Sequence, residues 1–440
     1  MYASGRRECV MLYDNLSQEN GVLTVAGHRA DDLVRQYGTP LLVMDEARIR
    51  NRCRTYKTAM EKYLPAGSRP LYASKALSIR QIYRIMAQEG MGVDVVSAGE
   101  LYTAFSAGFP MEHVFFHGNA KTDRDIAFAM DHGLGWFVCD NETELAVIDR
   151  EAKKRGLRQK ILLRLTPGID PHTHAKISTG RVDSKFGAAI ETGQAEALVK
   201  AALAAENIDL QGYHCHIGSQ IFEADPFMEG AEMMLSFVAQ MRDALGFTAP
   251  VLNLGGGMAV PYKAEDPAIC YEENIKTIGK IIDTLCQKLQ LTPPVILMEP
   301  GRSIVADSGL TLYTVVGTKQ IPGFKNYVAV DGGMADNPRY TLYQSAYTVL
   351  NASRMDNPAD FHCTVAGCCC ESGDLLQEDV DLPAPQRGDL LAVLTTGAYN
   401  YAMASNYNRL PRPPIVMLGA EGPYEAVRRE TYEDLLKCDL

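Results

Sequence analysis

Between residues 71 and 298, short apolar runs alternate with longer stretches whose apolar positions recur at helical period. The runs predict strands at 71–74, 92–96, 113–117, 136–139, 161–165, 211–215, 251–254 and 295–298. The stretches between them predict helices at 78–89, 99–107, 122–132, 142–155, 191–205, 226–245 and 271–289, with another at 46–63 ahead of the first strand. Segments 122–132 and 142–155 begin at or just after cap residues and carry acidic groups in the first turn. Strands alternating with helices, and apolar enough to be covered on both faces, predict a closed parallel (β/α)8 barrel of the TIM type.

Beyond Ile304 the pattern changes. Apolar runs at 312–316, 327–330, 361–366, 390–395 and 415–418 are joined by Gly, Pro, Asn and Asp turns with few long helical stretches, which predicts a mainly antiparallel β domain. Runs at 23–25 and 41–44 predict that the N-terminal segment adds a strand or two to that domain. The expected organisation is a barrel over residues 45–305 and a discontinuous β domain of residues 1–44 and 306–440.

In such a barrel the C-terminal ends of the strands converge on one mouth, so polar residues just past each strand are the first candidates for chemistry. Lys75 follows the first strand. An ammonium at an apolar mouth is costly, which makes Lys75 a candidate Schiff-base nucleophile; the alternative is a side chain that snorkels to solvent. His117 follows the third strand, and His214 and His216 follow the sixth, at a spacing that aims both the same way if the strand continues. As zinc ligands the pair lacks an obvious third partner; a lone imidazole is more often structural, and here either could also stack on a ring.

Gly255, Gly256 and Gly257 follow the seventh strand. Missing side chains there let backbone N–H groups approach an anion, and the loops after strands seven and eight are a recurrent phosphate site of this fold, although a triple glycine is also an ordinary turn. The eighth strand ends in Glu299-Pro300-Gly301-Arg302. Glu299 is suited to a protonated ring nitrogen and Arg302 to a carboxylate or phosphate; the alternative is an ion pair at the rim. Lysine, histidine, glycine loop and acid at one mouth are the parts that pyridoxal 5′-phosphate requires.

Composition narrows the partners. A chain of 440 residues with 46% hydrophobic and 22% charged positions is an ordinary globular protein, long enough for a barrel and a second domain. Lys and Arg number 43 against 54 Asp and Glu, a net charge of −11, so no nucleic acid partner is expected. No run reaches the roughly eighteen apolar residues of a spanning helix, and residues 1–21 lack the apolar core of a signal peptide, so a cytoplasmic protein with no membrane contact is expected. The 11 cysteines form no paired C-x-x-C knuckles. Most are expected to be small buried hydrophobes, and the run Cys368-Cys369-Cys370 is the exception kept open.

Together these segments resemble the fold-type III pyridoxal-phosphate decarboxylases. The resemblance covers essentially the whole chain and rests on the joint order of 72–76, 94–101 (DVVSAGEL), 216–220 (HIGSQ), 254–257, 299–302, 331–339 leading to Tyr343, 370–374 (CESGD) and 397–400 (GAYN). The chain departs from the family's usual residues at Cys368, Cys369 and Tyr340, whereas Lys185 and Phe186 match, in a connection (166–187) expected to order near the mouth as a lid would.

The resemblance implies a lyase that uses pyridoxal 5′-phosphate and no metal, in a homodimer whose β domain completes the partner's barrel mouth. It implies that Lys75 carries the cofactor, His216 stacks on its ring and Glu299 pairs with its ring nitrogen. Ser219, Gly256, Gly257 and the loop Pro300, Gly301, Arg302 would hold the phosphate, with Tyr399 closing the site. Arg302, Arg339 and Tyr343 would bind a distal carboxylate, Glu371 a distal ammonium, and Cys370 would return a proton to the α-carbon. Those charges favour decarboxylation of meso-2,6-diaminopimelate to L-lysine, because a missing distal group would leave one of them buried and unpaired, at a cost on the order of several kcal/mol. The alternatives are a decarboxylase of another basic amino acid or polyamine precursor (ornithine, arginine or carboxynorspermidine type), a racemase, or a catalytically silent regulatory homologue.

Overall fold

A computed structural model describes residues 13–168 and 184–440 of the chain. They form two compact units: one of Arg50–Val260 with Ile269–Ile304, the other of the described residues up to Ile49, Pro261–Ala268 and Val305–Leu440.

The first unit is the barrel. Its strands are β1 (Arg69–Ala73), β2 (Gly92–Val95), β3 (Val114–Phe116), β4 (Trp136–Cys139), β5 (Gln159–Thr166), β6 (Ile208–His214), β7 (Val251–Asn253) and β8 (Val295–Met298). Each pairs in parallel with the next in sequence, and β8 pairs with β1 to close the ring. All eight expected strands are present. The lower half of β6 lies ahead of the expected 211–215 because Ile208, Asp209, Leu210 and Gln211 alternate in burial, so only part of the strand reads as a continuous apolar run. Leu71, Phe115, Trp136, Val138, Leu162 and Leu297 pack together as a buried cluster.

Helices fill the connections. Thr122 caps Asp123–Asp131 through a capping box with Asp125, and the Asn141 side chain accepts from Glu144 N–H at the head of Glu142–Arg155. Among the described residues no helix is long and apolar enough to cross a membrane.

The second unit is mainly sheet. From the N-terminal segment, Leu41–Asp45, buried throughout, lies between Gly309–Ile321, to which it is antiparallel, and Ile415–Gly419, to which it is parallel, whereas Val22–Val25 pairs with Leu16–Glu19 and His28–Arg29 in a separate three-stranded sheet. Gly309–Ile321 also pairs antiparallel with Lys325–Val330 and Leu390–Leu394. Phe361–Ala366 joins Lys325–Val330 in parallel and Leu375–Leu382 antiparallel. Leu375–Leu382 escapes the apolar pattern because Glu378, Asp379 and Asp381 interrupt it on a half-exposed edge. Leu23, Leu41, Val43, Leu312, Ala392 and Val416 form this unit's buried core.

Candidate active site

Lys75, Asp94, His117, His214, Asn253 and Glu299 all stand at or just beyond the C-terminal ends of barrel strands. Lys75 lies in the 3-10 turn Ser74–Ala76 directly after β1. Next to it, Ser74 Oγ donates to Glu100 Oε2 at 2.7 Å, and Val96 N–H donates to the same oxygen at 2.8 Å, which ties the turn after β1 to the turn after β2.

Glu299 is the centre of the mouth. It is 5% exposed, and three polar side chains face it. Asn253 Nδ2 donates to Oε1 at 2.7 Å, His214 Nε2 stands 3.3 Å from Oε2, and His117 Nε2 stands 3.1 Å from Oε1. Burial raises a carboxyl, but the two imidazoles outweigh it and hold Glu299 well below its usual range. Burial pushes His214 down to about 4. A neutral His214 that donates its Nε2–H to an ionised Glu299 satisfies both directions. Burial raises Asp94, opposed by His117 at 3.8 Å.

The expected pairing of His214 with His216 is corrected here. β6 ends at His214, so His216 leaves the strand and its Nδ1 accepts the N–H of Gly256 at 3.2 Å. The ligand atoms that converge are instead those of His117, His214 and Glu299, within 4.8 Å of one another. Asn253 and His214 already engage the two Glu299 oxygens, which favours a hydrogen-bonded acid over a metal ligand.

The glycine loop has no room for side chains. A Cβ on Gly256 would lie 2.1 Å from the Glu299 carbonyl, and one on Gly257, at φ +124°, would lie 2.4 Å from the Gly218 carbonyl. Arg302 is buried and donates from Nη2 to Ser219 Oγ at 3.0 Å, which places a cation beside this loop. Pro300 turns its carbonyl to Ala73 N–H, and Gly301 packs against Ala73, so this turn also closes β8 onto β1.

These observations fit pyridoxal 5′-phosphate. A buried ionised carboxylate suits a protonated pyridine nitrogen, a lysine follows the first strand, and a glycine cradle with a buried arginine suits a phosphate.

In the sheet unit, Arg339 opens the short helix Arg339–Tyr343 and is only 9% exposed. Its guanidinium lies 5.2 Å from the Tyr343 ring centre and 5.6 Å from that of Tyr399, whose backbone is left-handed at φ +63°. Cys370 and Glu371 are exposed in the single chain. The N–H of Cys370 donates to Asn408 Oδ1 at 2.7 Å. Asp374 accepts from Cys369 N–H and Met334 N–H, both at 2.6 Å, and so joins the loop of Cys370 and Glu371 to the loop leading to Arg339.

The expected lid lies mostly outside the described residues, since 169–183 are not among them. At its end, the Phe186 carbonyl accepts from Thr166 Oγ1 at 2.7 Å, and the Arg164 guanidinium sits 4.3 Å over the Phe186 ring. The apolar pattern alone does not single out Asn253 and Asp374 as organising residues. Asn253 sits at the end of the apolar run of β7, and that polar position was its signal.

Residues 46–306 match the family model "pyridoxal-dependent decarboxylase, pyridoxal binding domain". The diaminopimelate decarboxylase of Bacillus subtilis is 45% identical over 96% of this chain and 96% of its own. The crystal structure of diaminopimelate decarboxylase from M. jannaschii in complex with L-lysine superposes with a TM-score of 0.89 at 34% identity, covering 97% of this chain and 98% of that one. A lysine/ornithine decarboxylase from Vibrio vulnificus, complexed with putrescine, aligns with a TM-score of 0.73 at 25% identity, over 88% of this chain and 97% of its own.

Proposed function

The chain belongs to the pyridoxal-dependent decarboxylases, and from that premise we propose that it decarboxylates meso-2,6-diaminopimelate to L-lysine with pyridoxal 5′-phosphate as cofactor. The observation that carries this reading is the buried Glu299, faced by Asn253, His214 and His117, at the mouth of a barrel whose first strand leads into Lys75. When bound, the cofactor supplies an electron sink joined to the substrate nitrogen.

The rest falls to the chain's own side chains. Lys75 would hold the cofactor covalently, Glu299 would keep its ring nitrogen protonated, and His216, fixed by Gly256 N–H, would cover the ring. Ser219, Gly256, Gly257 and the turn Pro300, Gly301, Arg302 take the phosphate, and Tyr399 is assigned to the same group. Arg302, Arg339 and Tyr343 recognise the distal carboxylate and Glu371 the distal ammonium. Cys370 would supply its thiol proton at the α-carbon.

The exposure of Cys370 and Glu371 supports a homodimer with shared sites, because a proton donor that must work away from water needs a second surface to cover it. The net charge of −11 supports a protein without nucleic acid partners, and the bacterial diaminopimelate decarboxylases it resembles support a place of work in the cytoplasm. The buried Arg339 favours diaminopimelate over lysine, ornithine or arginine, none of which has a distal carboxylate to meet it.

The test is a substrate panel. Purified protein with the cofactor should release lysine and carbon dioxide from meso-diaminopimelate, and Lys75→Ala should lose both the turnover and the bound-cofactor absorbance band. Preferred turnover of ornithine or arginine would replace the substrate assignment. Mixing Lys75→Ala with Cys370→Ala protein should restore part of the activity if sites are shared, since one site of each mixed dimer then carries neither lesion.

A further inference from the structure

The loop after β6 and the loop after β7 run side by side beyond the ends of their strands. Gly256 N–H meets His216 Nδ1 at 3.2 Å, Ile221 N–H donates to the Gly257 carbonyl at 3.0 Å, and Ala259 N–H donates back to the Ile221 carbonyl at 3.0 Å. Ile221 and Met258 form an isolated parallel bridge. Between these contacts stands Gln220, in a left-handed backbone conformation at φ +63°. Its carboxamide binds both polar groups of one residue on the facing loop: Nε2 donates to the Val260 carbonyl at 2.6 Å, and Oε1 accepts from Val260 N–H at 3.3 Å.

We propose that Gln220 is a positioning residue for the anion cradle. By clasping Val260 it holds Ser219, its neighbour in sequence, in register with Gly256 and Gly257, so that donors from two loops converge on one phosphate. The inference rests on the reading that this mouth binds pyridoxal 5′-phosphate.

Two features separate a clasp from a generic packing residue. Every bond that Gln220 makes to Val260 is to backbone, so it acts on the path of the loop and not on a neighbouring side chain. The carboxamide is also used as donor and acceptor together, a pattern that glutamine satisfies and that glutamate satisfies only when protonated.

The experiment titrates apoprotein with pyridoxal 5′-phosphate and, in parallel, with pyridoxal, reading the cofactor absorbance and not turnover. Gln220→Met keeps the side-chain length and removes both bonds. It should weaken the phosphorylated cofactor by about tenfold, the worth of one to two hydrogen bonds, while pyridoxal changes by less than about twofold. Gln220→Glu, whose carboxylate can accept from Val260 N–H but cannot donate to the Val260 carbonyl, should also weaken the phosphorylated cofactor.

Equal weakening of both ligands in Gln220→Met, or an unchanged affinity for the phosphorylated one, would overturn the clasp. So would a Gln220→Glu protein that binds the phosphorylated cofactor as tightly as wild type does. Failure of the wild-type protein itself to bind the cofactor would instead overturn the reading of the mouth on which the clasp depends. A melting temperature of the apo variants that matches wild type, read alongside, excludes loss of the fold.

Discussion

Asn253 Nδ2 donates to Glu299 Oε1 at 2.7 Å while Asn253 Oδ1 accepts the N–H of Gly255 at 2.9 Å. One carboxamide thus orients the central acid of the barrel mouth and the first residue of the glycine loop. A hydrogen bond to the charged form of a buried carboxyl favours that form, so Asn253 helps to keep Glu299 ionised.

Replacing Asn253 by Leu, of similar size, removes both bonds. Affinity for the cofactor should fall by about tenfold, in keeping with the loss of a charge-assisted hydrogen bond. Asn253→Asp should be worse and should deteriorate further from pH 6 to pH 8, because a second carboxylate would then ionise against the first. Cofactor titration at the two pH values checks both outcomes.

Cys370→Ala and Arg339→Ala should fail differently. Without the thiol, kcat should drop by about 10²–10⁴-fold, the usual worth of a positioned acid, with the cofactor band unchanged. Without the guanidinium, kcat/KM for diaminopimelate should fall by about 30-fold or more, the cost of leaving the distal carboxylate without its charged partner. Steady-state kinetics on both variants separates the two patterns.

Asp336 supplies a pH dependence outside the barrel. Burial raises its carboxyl to about 7, against hydrogen bonds from Tyr313 and the Gly333 backbone that favour the charged form. The folded protein therefore holds this proton more tightly than the unfolded chain. The stability it contributes is full below about pH 4 and is lost as the pH rises through about 7. Asp336→Asn, which imitates the neutral acid, should match wild type near pH 4.5 and exceed it at pH 8 by on the order of 2–4 kcal/mol. Thermal unfolding across that range gives the comparison.

Lys121 and Glu144 form a buried pair at 2.7 Å, and the ammonium also donates to the carbonyls of Gly118 at 2.7 Å and Val138 at 2.9 Å. Lys121→Met strands the Glu144 carboxylate and two carbonyls. It should cost about 3–5 kcal/mol of stability, read from denaturant midpoints. Removing both charges, with Glu144→Leu added, should recover part of that loss.

Much of the barrel was legible in the chain, because a strand covered on both faces must be apolar throughout and its connections must be amphipathic helices. The helices Glu46–Tyr63 and Glu142–Arg155 even begin and end at the expected residues. The sheet unit was legible only in outline. Leu375–Leu382 lies on a half-exposed edge where acidic residues are tolerated, and the pairing of Leu41–Asp45 with Gly309–Ile321 joins segments far apart in sequence.

For the candidate site, the order of residues along the chain settles which ones stand past each strand, because strand order and barrel closure send those positions to one mouth. It also determined the types of charge available there. Their wiring comes from the folded chain alone: His214 serves Glu299 while His216 turns to Gly256, Asn253 bridges acid and glycine loop, and Asp374 ties the Cys370 loop to the loop leading to Arg339. Such wiring depends on where a strand stops and on which backbone groups lie within about 3 Å of a side chain, and local periodicity carries neither.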